Sequence, residues 1–194
     1  MFDLSFLIIS LPILLIVITV HEFAHALVAD RLGDPTPRLA GRLTLNPIAH
    51  IDPIGFLMLI LVRFGWAKPV PINPYNFRNP RQGNLLVSLA GPGSNFLFAW
   101  VLAIIFRNLP LTTSNLVVQV ISYAIWINLA LGVFNLIPIP PLDGSHILEY
   151  FLSPYQMETF YRMQQYSFMI LIVIIMIGQP ILMAIIEFLY RLLV

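Results

Sequence analysis

Four long runs without a charged side chain constrain this sequence more than any other feature: residues 4–20, 83–106, 116–136 and 163–186. A helix built from such a run has no polar face to turn toward water, so it belongs in a bilayer. Extending the first run to Ala29 gives a helix long enough to cross roughly 30 Å of hydrocarbon with some tilt, and Pro12 within it predicts a kink. The fourth run is interrupted by Gly178-Gln179-Pro180, which predicts a bend. Composition agrees, with 59% hydrophobic residues and 10% charged ones, whereas soluble domains carry about a quarter charged. A net charge of +1 without a basic run excludes nucleic acid as a partner. The opening "MFDLSFLIIS" lacks a basic n-region, and no small-residue cleavage site precedes His21. The first run therefore reads as a mature membrane helix rather than a removed signal.

The run at 51–62 is shorter and holds Asp52, Pro53 and Gly55. About a dozen residues suit a re-entrant or interfacial segment better than a crossing. Arg31, Arg38, Arg42, Arg63, Lys68, Arg78 and Arg81 all fall between the first long run and the second. By the positive-inside rule that region is expected on the cytoplasmic side, provided 51–62 does not cross. Within it, "PRLAGRLTLNP" alternates apolar and polar residues and "AKPVPINP" reads as extended chain, so short strands are expected at 36–48 and 67–73. Such strands would offer an edge to an extended peptide. Residues 41–55, with Arg42, Asn46, His50 and Asp52, are expected to rim a water path. The expected fold is an all-α polytopic membrane protein, one domain over 1–194 with about four transmembrane helices. A small membrane-surface β element and a short re-entrant or interfacial segment accompany them.

The chemistry lies at the end of the first run, in "TVHEFAHALVAD". On a helix His21 and His25 stand one turn apart on the same face, and Glu22 projects beside them. This is the HExxH arrangement for zinc, in which two neutral imidazoles bind the ion and a glutamate takes a proton from water that the ion acidifies. With no cysteine in the chain, any further protein ligand must be His, Asp or Glu. HExxH alone arises by chance, but an ionisable glutamate within a membrane helix costs ~2.5–3.5 kcal/mol or more unless paired, and such residues face interior sites. Interhelical hydrogen bonding or a proton relay is the competing explanation.

A third ligand is needed for a hydrolytic zinc site. Val28 and Arg31 exclude the metzincin extension, and "LTLNPIAHID" does not supply the downstream glutamate of thermolysin-like chains. Asp52, His50, Asp143, His146 and Glu149 remain candidates. Depth favours Asp143. His21 follows seventeen uncharged residues, or about 26 Å of helix, toward the cytoplasmic end, and the third run ends on the same side in "NLIPIPPLDGSHIL". Pro138, Pro140 and Pro141 prevent regular helix there, and unwound chain at membrane depth is tolerated where it lines a site. "LDG" is expected to start a new short helix with Asp143 as its N-cap.

Taken together, His21-Glu22-xx-His25 in a first membrane helix, "GPGSN" at 91–95 and "NLIPIPPLDG" at 135–144 resemble the site-2 protease family of intramembrane zinc metalloproteases, over roughly residues 4–150. The resemblance implies a three-helix membrane core, with a membrane helix over about 160–194 added to it. It implies one Zn2+ held by His21, His25 and Asp143, with Glu22 as general base. It also implies that Asn95 and Asn135 bind substrate backbone or support the oxyanion, although both amides would equally satisfy backbone opened by the prolines. Neither a PDZ nor a CBS module is expected. The implied partners are a transmembrane protein or peptide substrate and the lipid bilayer, and the reading admits a homo-oligomer or a regulatory membrane partner. The expected location is a bacterial cell membrane with the site toward the cytoplasm. A metal-ion or proton transporter, or a non-catalytic scaffold that binds membrane helices, are the alternatives from other functional classes. The absence of mirrored halves argues against the first, and the intact Glu22 against the second.

Overall fold

The computed structural model describes residues 4–62 and 65–194. Arg63 of the basic cluster and the first three residues of the expected N-terminal segment lie outside them. Four helices are long and apolar enough to cross a membrane: Ile8–Arg31, Pro80–Arg107, Asn115–Asn135 and Ser167–Leu193. Each coincides with one of the uncharged runs. The chain divides into two compact units, Met1–Gly91 and Pro92–Val194.

The first unit is led by α1 (Leu4–Arg31), which contains Pro12 without ending there. At its C-terminal end Gly33 adopts φ 104°, a left-handed conformation open to glycine, and the chain turns. A single-turn helix, α2 (Thr36–Leu39), follows, then a 3-10 turn at Pro47–His50 and α3 (Pro53–Val62). With ten residues, α3 spans only about 15 Å, half the hydrocarbon thickness. Asp34 organises the connection. Fully buried, its carboxylate accepts from the Thr36 N–H (3.0 Å), the Thr36 hydroxyl (2.5 Å), the Asn73 N–H (2.8 Å) and the Asn76 amide (2.7 Å). A small apolar core of Ala29, Phe77 and Val87 closes beside it, flanked by Val28, Leu32 and Ile72.

The expected strands are absent among the described residues. Thr36–Leu39 is helical because Pro37 favours a helix start and Asp34 supplies the orphan Thr36 N–H with an acceptor. Gly41, at φ 68°, breaks the alternating pattern, and Asn46 accepts from the Ile48 N–H to start the 3-10 turn. Residues 68–73 form no ladder, since Pro69 and Pro71 lack the N–H a ladder needs. What remains is an isolated antiparallel bridge between Ile51 and Ala67. A strand edge for substrate therefore has no basis here.

The second unit begins within α4 (Pro80–Arg107) and continues through α5 (Asn115–Asn135), α6 (Asp143–Phe151), α7 (Pro154–Gln164) and α8 (Ser167–Leu193). Its core joins Ala99 and Ala103 of α4 to Ile125 and Leu129 of α5 and Ile186 of α8. The small residues one turn apart let backbones approach, the means by which helices associate where lipid offers no hydrophobic gradient. Across the same packing, Asn95 donates to the Asn128 side-chain oxygen at 3.2 Å, and the Asn128 amide donates to the Ala124 carbonyl at 2.8 Å. Helix α8 runs through Gly178-Gln179-Pro180 as one element. Residues 163–166, counted within the fourth run, fall at the end of α7 and the turn after it; α7 itself starts at a capping box formed by Ser153 and Gln156.

Candidate metal centre

The last third of α1 places His21 and His25 side by side. Both are buried, at 5% and 7% exposure. Their Nε2 atoms lie 3.0 Å apart, and the rings meet edge to face with centroids 4.7 Å apart. The tautomer of His25 follows from its other nitrogen. Nδ1 lies 2.7 Å from the carbonyl oxygen of Val87, and a carbonyl only accepts, so Nδ1 carries the proton. In the neutral ring the lone pair is then on Nε2, directed at the gap beside His21. Two nitrogens bound to one tetrahedral zinc at about 2.0–2.1 Å stand roughly 3.3 Å apart, so the observed spacing fits the ion with a small opening. The Val87 carbonyl is the outer partner such a ligand requires to hold its orientation.

A glycine makes room for the pair. A Cβ on Gly91 would lie 2.3 Å from His25 Nε2 and 2.6 Å from the Cε1 atoms of both rings, distances no side chain tolerates. Gly93, two residues on, has nothing within 4 Å of its ideal Cβ. The first glycine of "GPGSN" is thus required by the imidazoles, a role the sequence motif does not reveal.

The other predicted residues are placed as follows. Asp143 is the first residue of α6; the N-cap is Leu142, one position earlier than expected. Its neighbour Gly144 sits under the chain that ends α5, where a Cβ would meet the Leu136 and Ile137 carbonyl oxygens at 2.3 and 2.5 Å. Ser145 donates to the Leu142 carbonyl at 2.7 Å. Close backbone approach therefore explains the "DG" pair and fixes where the carboxylate of Asp143 emerges. Asn135, half-buried, donates to the Leu131 carbonyl at 3.0 Å, while Asn95 is fully buried beside Asn128. His146 is 47% exposed and holds Glu149 at 3.1 Å. Asp52 accepts from the Ile54 and Gly55 N–H groups at the start of α3. His50 is 1% exposed, with Nε2 donating to the Thr44 carbonyl at 2.9 Å. Arg42 is equally enclosed, so neither Arg42 nor His50 lines an open water path.

Comparison with known proteins agrees with this chemistry. The model of Peptidase family M50 matches residues 110–178. A Bacillus subtilis protein named "Putative zinc metalloprotease YwhC" is 39% identical over 168 residues, covering 83% of this chain and 77% of that protein. A Mycolicibacterium smegmatis protein named "Putative zinc metalloprotease Rip2" is 32% identical over 160 residues, covering 80% of this chain and 61% of its own length. "Zinc metalloprotease MJ0392" of Methanocaldococcus jannaschii is 27% identical over 142 residues, 73% of this chain and 33% of that protein. No solved structure matches the chain. The likeness to the Bacillus protein extends over most of both chains, and on that basis this chain belongs to peptidase family M50, the site-2 protease family.

Proposed function

We propose that the chain is a zinc-dependent endopeptidase that hydrolyses peptide bonds within or next to membrane-spanning segments of other proteins. The observation that carries this reading is the buried imidazole pair, with its tautomer set by Val87 and its space kept by Gly91, in a helix of membrane-crossing length. The M50 match and the metalloprotease names of the relatives support it. His21, His25 and Asp143 would hold one zinc ion. Bound there, zinc supplies Lewis acidity, which makes water a competent nucleophile near neutral pH.

The chain's own residues do the rest. His25 gives its Nε2 lone pair because Nδ1–H is held by the Val87 carbonyl, so the ligand needs no tautomer change on loading. Glu22, next to His21 on the same turn, accepts the proton of the attacking water and returns it to the departing amine. Of the two asparagines, Asn135 is half-buried at the end of α5 and has an exposed fraction to offer a substrate backbone. Asn95 is enclosed against Asn128 and acts first in holding α4 to α5. A substrate helix hides its carbonyls in its own hydrogen bonds and must unwind before cleavage, and the proline-broken chain at 136–142 is where unpaired backbone groups are tolerated. Residues Arg31, Arg38, Arg42, Lys68, Arg78 and Arg81 argue for a cytoplasmic position of the connection between the first two spans, and a bacterial cell membrane is the proposed location.

The test incubates the purified protein in detergent with a panel of single-span helix peptides, with and without a chelator, and locates the scissile bond by mass spectrometry. Glu22→Gln should bind zinc as the parent does and lose cleavage by at least ~100-fold. Cleavage that survives both the chelator and this substitution would refute the assignment.

A further inference from the structure

Helix α8 is the least enclosed of the four spans. In its most apolar stretch 11% of the residues are buried within the chain, against 33%, 28% and 22% in the other three. From Met169 to Leu193 it carries a seam of residues at alternating steps of three and four, the spacing by which one helix presents a continuous stripe to another. The last members, Ile186, Tyr190 and Leu193, pack in or against the apolar core that α8 shares with α4 and α5, and the Tyr190 hydroxyl is hydrogen-bonded to Ser122. The earlier members Met169, Ile172, Met176 and Met183 continue the same stripe and are exposed, Met176 at 74%. A packing seam that is filled at one end thus runs open for about four turns.

The remaining member of the open part is Gln179. It stands at the middle of a 27-residue helix, with roughly 20 Å of helix on either side, which puts it near the centre of the bilayer. Gln179 is exposed, and no hydrogen bond joins its amide to the described residues. Pro180 beside it has no N–H, so the Met176 carbonyl lacks its usual donor one turn later. Lipid tails offer neither donor nor acceptor, and unsatisfied polar groups in hydrocarbon are costly. The opposite face of α8 makes no such demand. Its shallow groove is lined by Pro180, Ile181, Ala184, Ile185 and Phe188, apolar side chains for which acyl chains are an adequate neighbour.

We propose that the open seam of α8 is a self-association surface, on which the α8 of a second copy packs in parallel with Gln179 facing Gln179. A carboxamide is donor and acceptor at once, so two of them satisfy each other across a two-fold axis. Copies inserted under the same charge rule share one orientation, and a two-fold axis along the membrane normal then brings both amides to the same depth. A different helix would need a polar group of its own at that level. One polar residue in an otherwise apolar seam also fixes register, the role such a residue has in coiled coils. The association does not rest on the peptidase reading and is tested apart from it.

The chain has no cysteine, so single-cysteine variants report on α8 without background. The experiment places the full chain in phospholipid vesicles at increasing lipid dilution and counts subunits by single-molecule photobleaching. Disulfide formation under mild oxidation is compared for Met176→Cys and Met183→Cys on the seam and for Ile177→Cys and Ile181→Cys off it. The proposal predicts dimers of the parent and cross-links that form several-fold faster at 176 and 183 than at 177 and 181. Gln179→Leu should weaken the dimer by about five- to tenfold, the effect of two interhelical hydrogen bonds in a membrane, and Gln179→Asn should retain it. A parent that is monomeric at every dilution would overturn the proposal, including one whose seam captures a peptide of another membrane helix. So would cross-links at 177 and 181 in place of the seam, or a Gln179→Leu dimer as tight as the parent's. If Gln179→Leu does not fold, the cross-linking pattern decides.

Discussion

Replacing Gly91 by alanine is a one-methyl test of the metal centre. The added carbon would stand 2.3 Å from His25 Nε2 and 2.6 Å from Cε1 of both His21 and His25, whereas non-bonded carbon contacts settle at about 3.5 Å or more. One partner must therefore retreat by roughly 1 Å, and metal–ligand distances tolerate about 0.2 Å. Gly91 lies within α4, whose backbone is fixed by its own hydrogen bonds, so the imidazoles are the side that moves. His25 cannot swing freely without breaking its bond to Val87. Loss of an outer partner alone typically costs 10–100-fold in metal affinity, and here a ligand atom is displaced as well, so a loss of about 100-fold or more is expected, about 2.8 kcal/mol at 1.4 kcal/mol per decade. Competition against a fluorescent zinc chelator measures it, with circular dichroism confirming that the helices persist. Gly93→Ala is the matched control, because its Cβ meets nothing within 4 Å, and it should load zinc as the parent does. Gly91→Ala with zinc affinity within threefold of the parent would refute the packing on which the centre is built.

Two other substitutions probe the scaffold. For Asp34, burial pushes the carboxyl up, but the hydrogen bonds from Thr36, Asn73 and Asn76 outweigh it and hold the group below its usual value of 3.8. Because the folded-state value is the lower one, the stabilisation is complete above the unfolded value and is lost as pH falls through the folded one. Asp34→Asn should remove on the order of 3 kcal/mol at neutral pH and flatten the acid limb of a thermal-midpoint profile; an unchanged profile would show that the hub is not a charged acceptor. In the second unit, Asn128→Ala removes the acceptor of Asn95 and should destabilise the α4–α5 packing by about 0.6–2 kcal/mol in detergent, read by unfolding in denaturing detergent. A neutral outcome would mean that the amide pair contributes nothing to that packing.

The four long apolar helices are legible because a run without charge has no polar face to give water; the ends of α4 and α5 fall within three residues of the runs, whereas α8 continues past Glu187 and Arg191 to Leu193, seven residues beyond its run. The adjacency of the two imidazoles is legible because both histidines lie on one helix, one turn apart. The strands expected at 36–48 and 67–73 do not form, since alternation of apolar and polar residues does not report Gly41 at positive φ, the pull of Asp34 on Thr36, or the missing N–H groups of Pro69 and Pro71. The cap expected at Asp143 falls one residue earlier, at Leu142. The contacts made by Gly91, Asp34 and Arg42 are not legible in the sequence, for a common reason. Each acts on partners distant in sequence: the imidazoles more than sixty residues earlier, Asn73 and Asn76 about forty residues later, and the carbonyls of Lys68 and Pro69. Position and residue type gave no hint of those meetings, although a lone arginine in "AGRLTLNP" beside an apolar run is the kind of residue that asks for a buried partner.

X-ray absorption at the zinc edge, recorded on the purified protein, tests the central claim most directly. The account predicts one zinc per chain with two imidazole nitrogens at about 2.0–2.1 Å and oxygen in the remaining positions, an imidazole signal that weakens in His25→Ala, and an oxygen shell altered in Asp143→Ala. A spectrum with fewer than two imidazoles would contradict it. So would an oxygen shell unchanged without Asp143, which would direct the search for the third ligand to His146, His50 or Glu149.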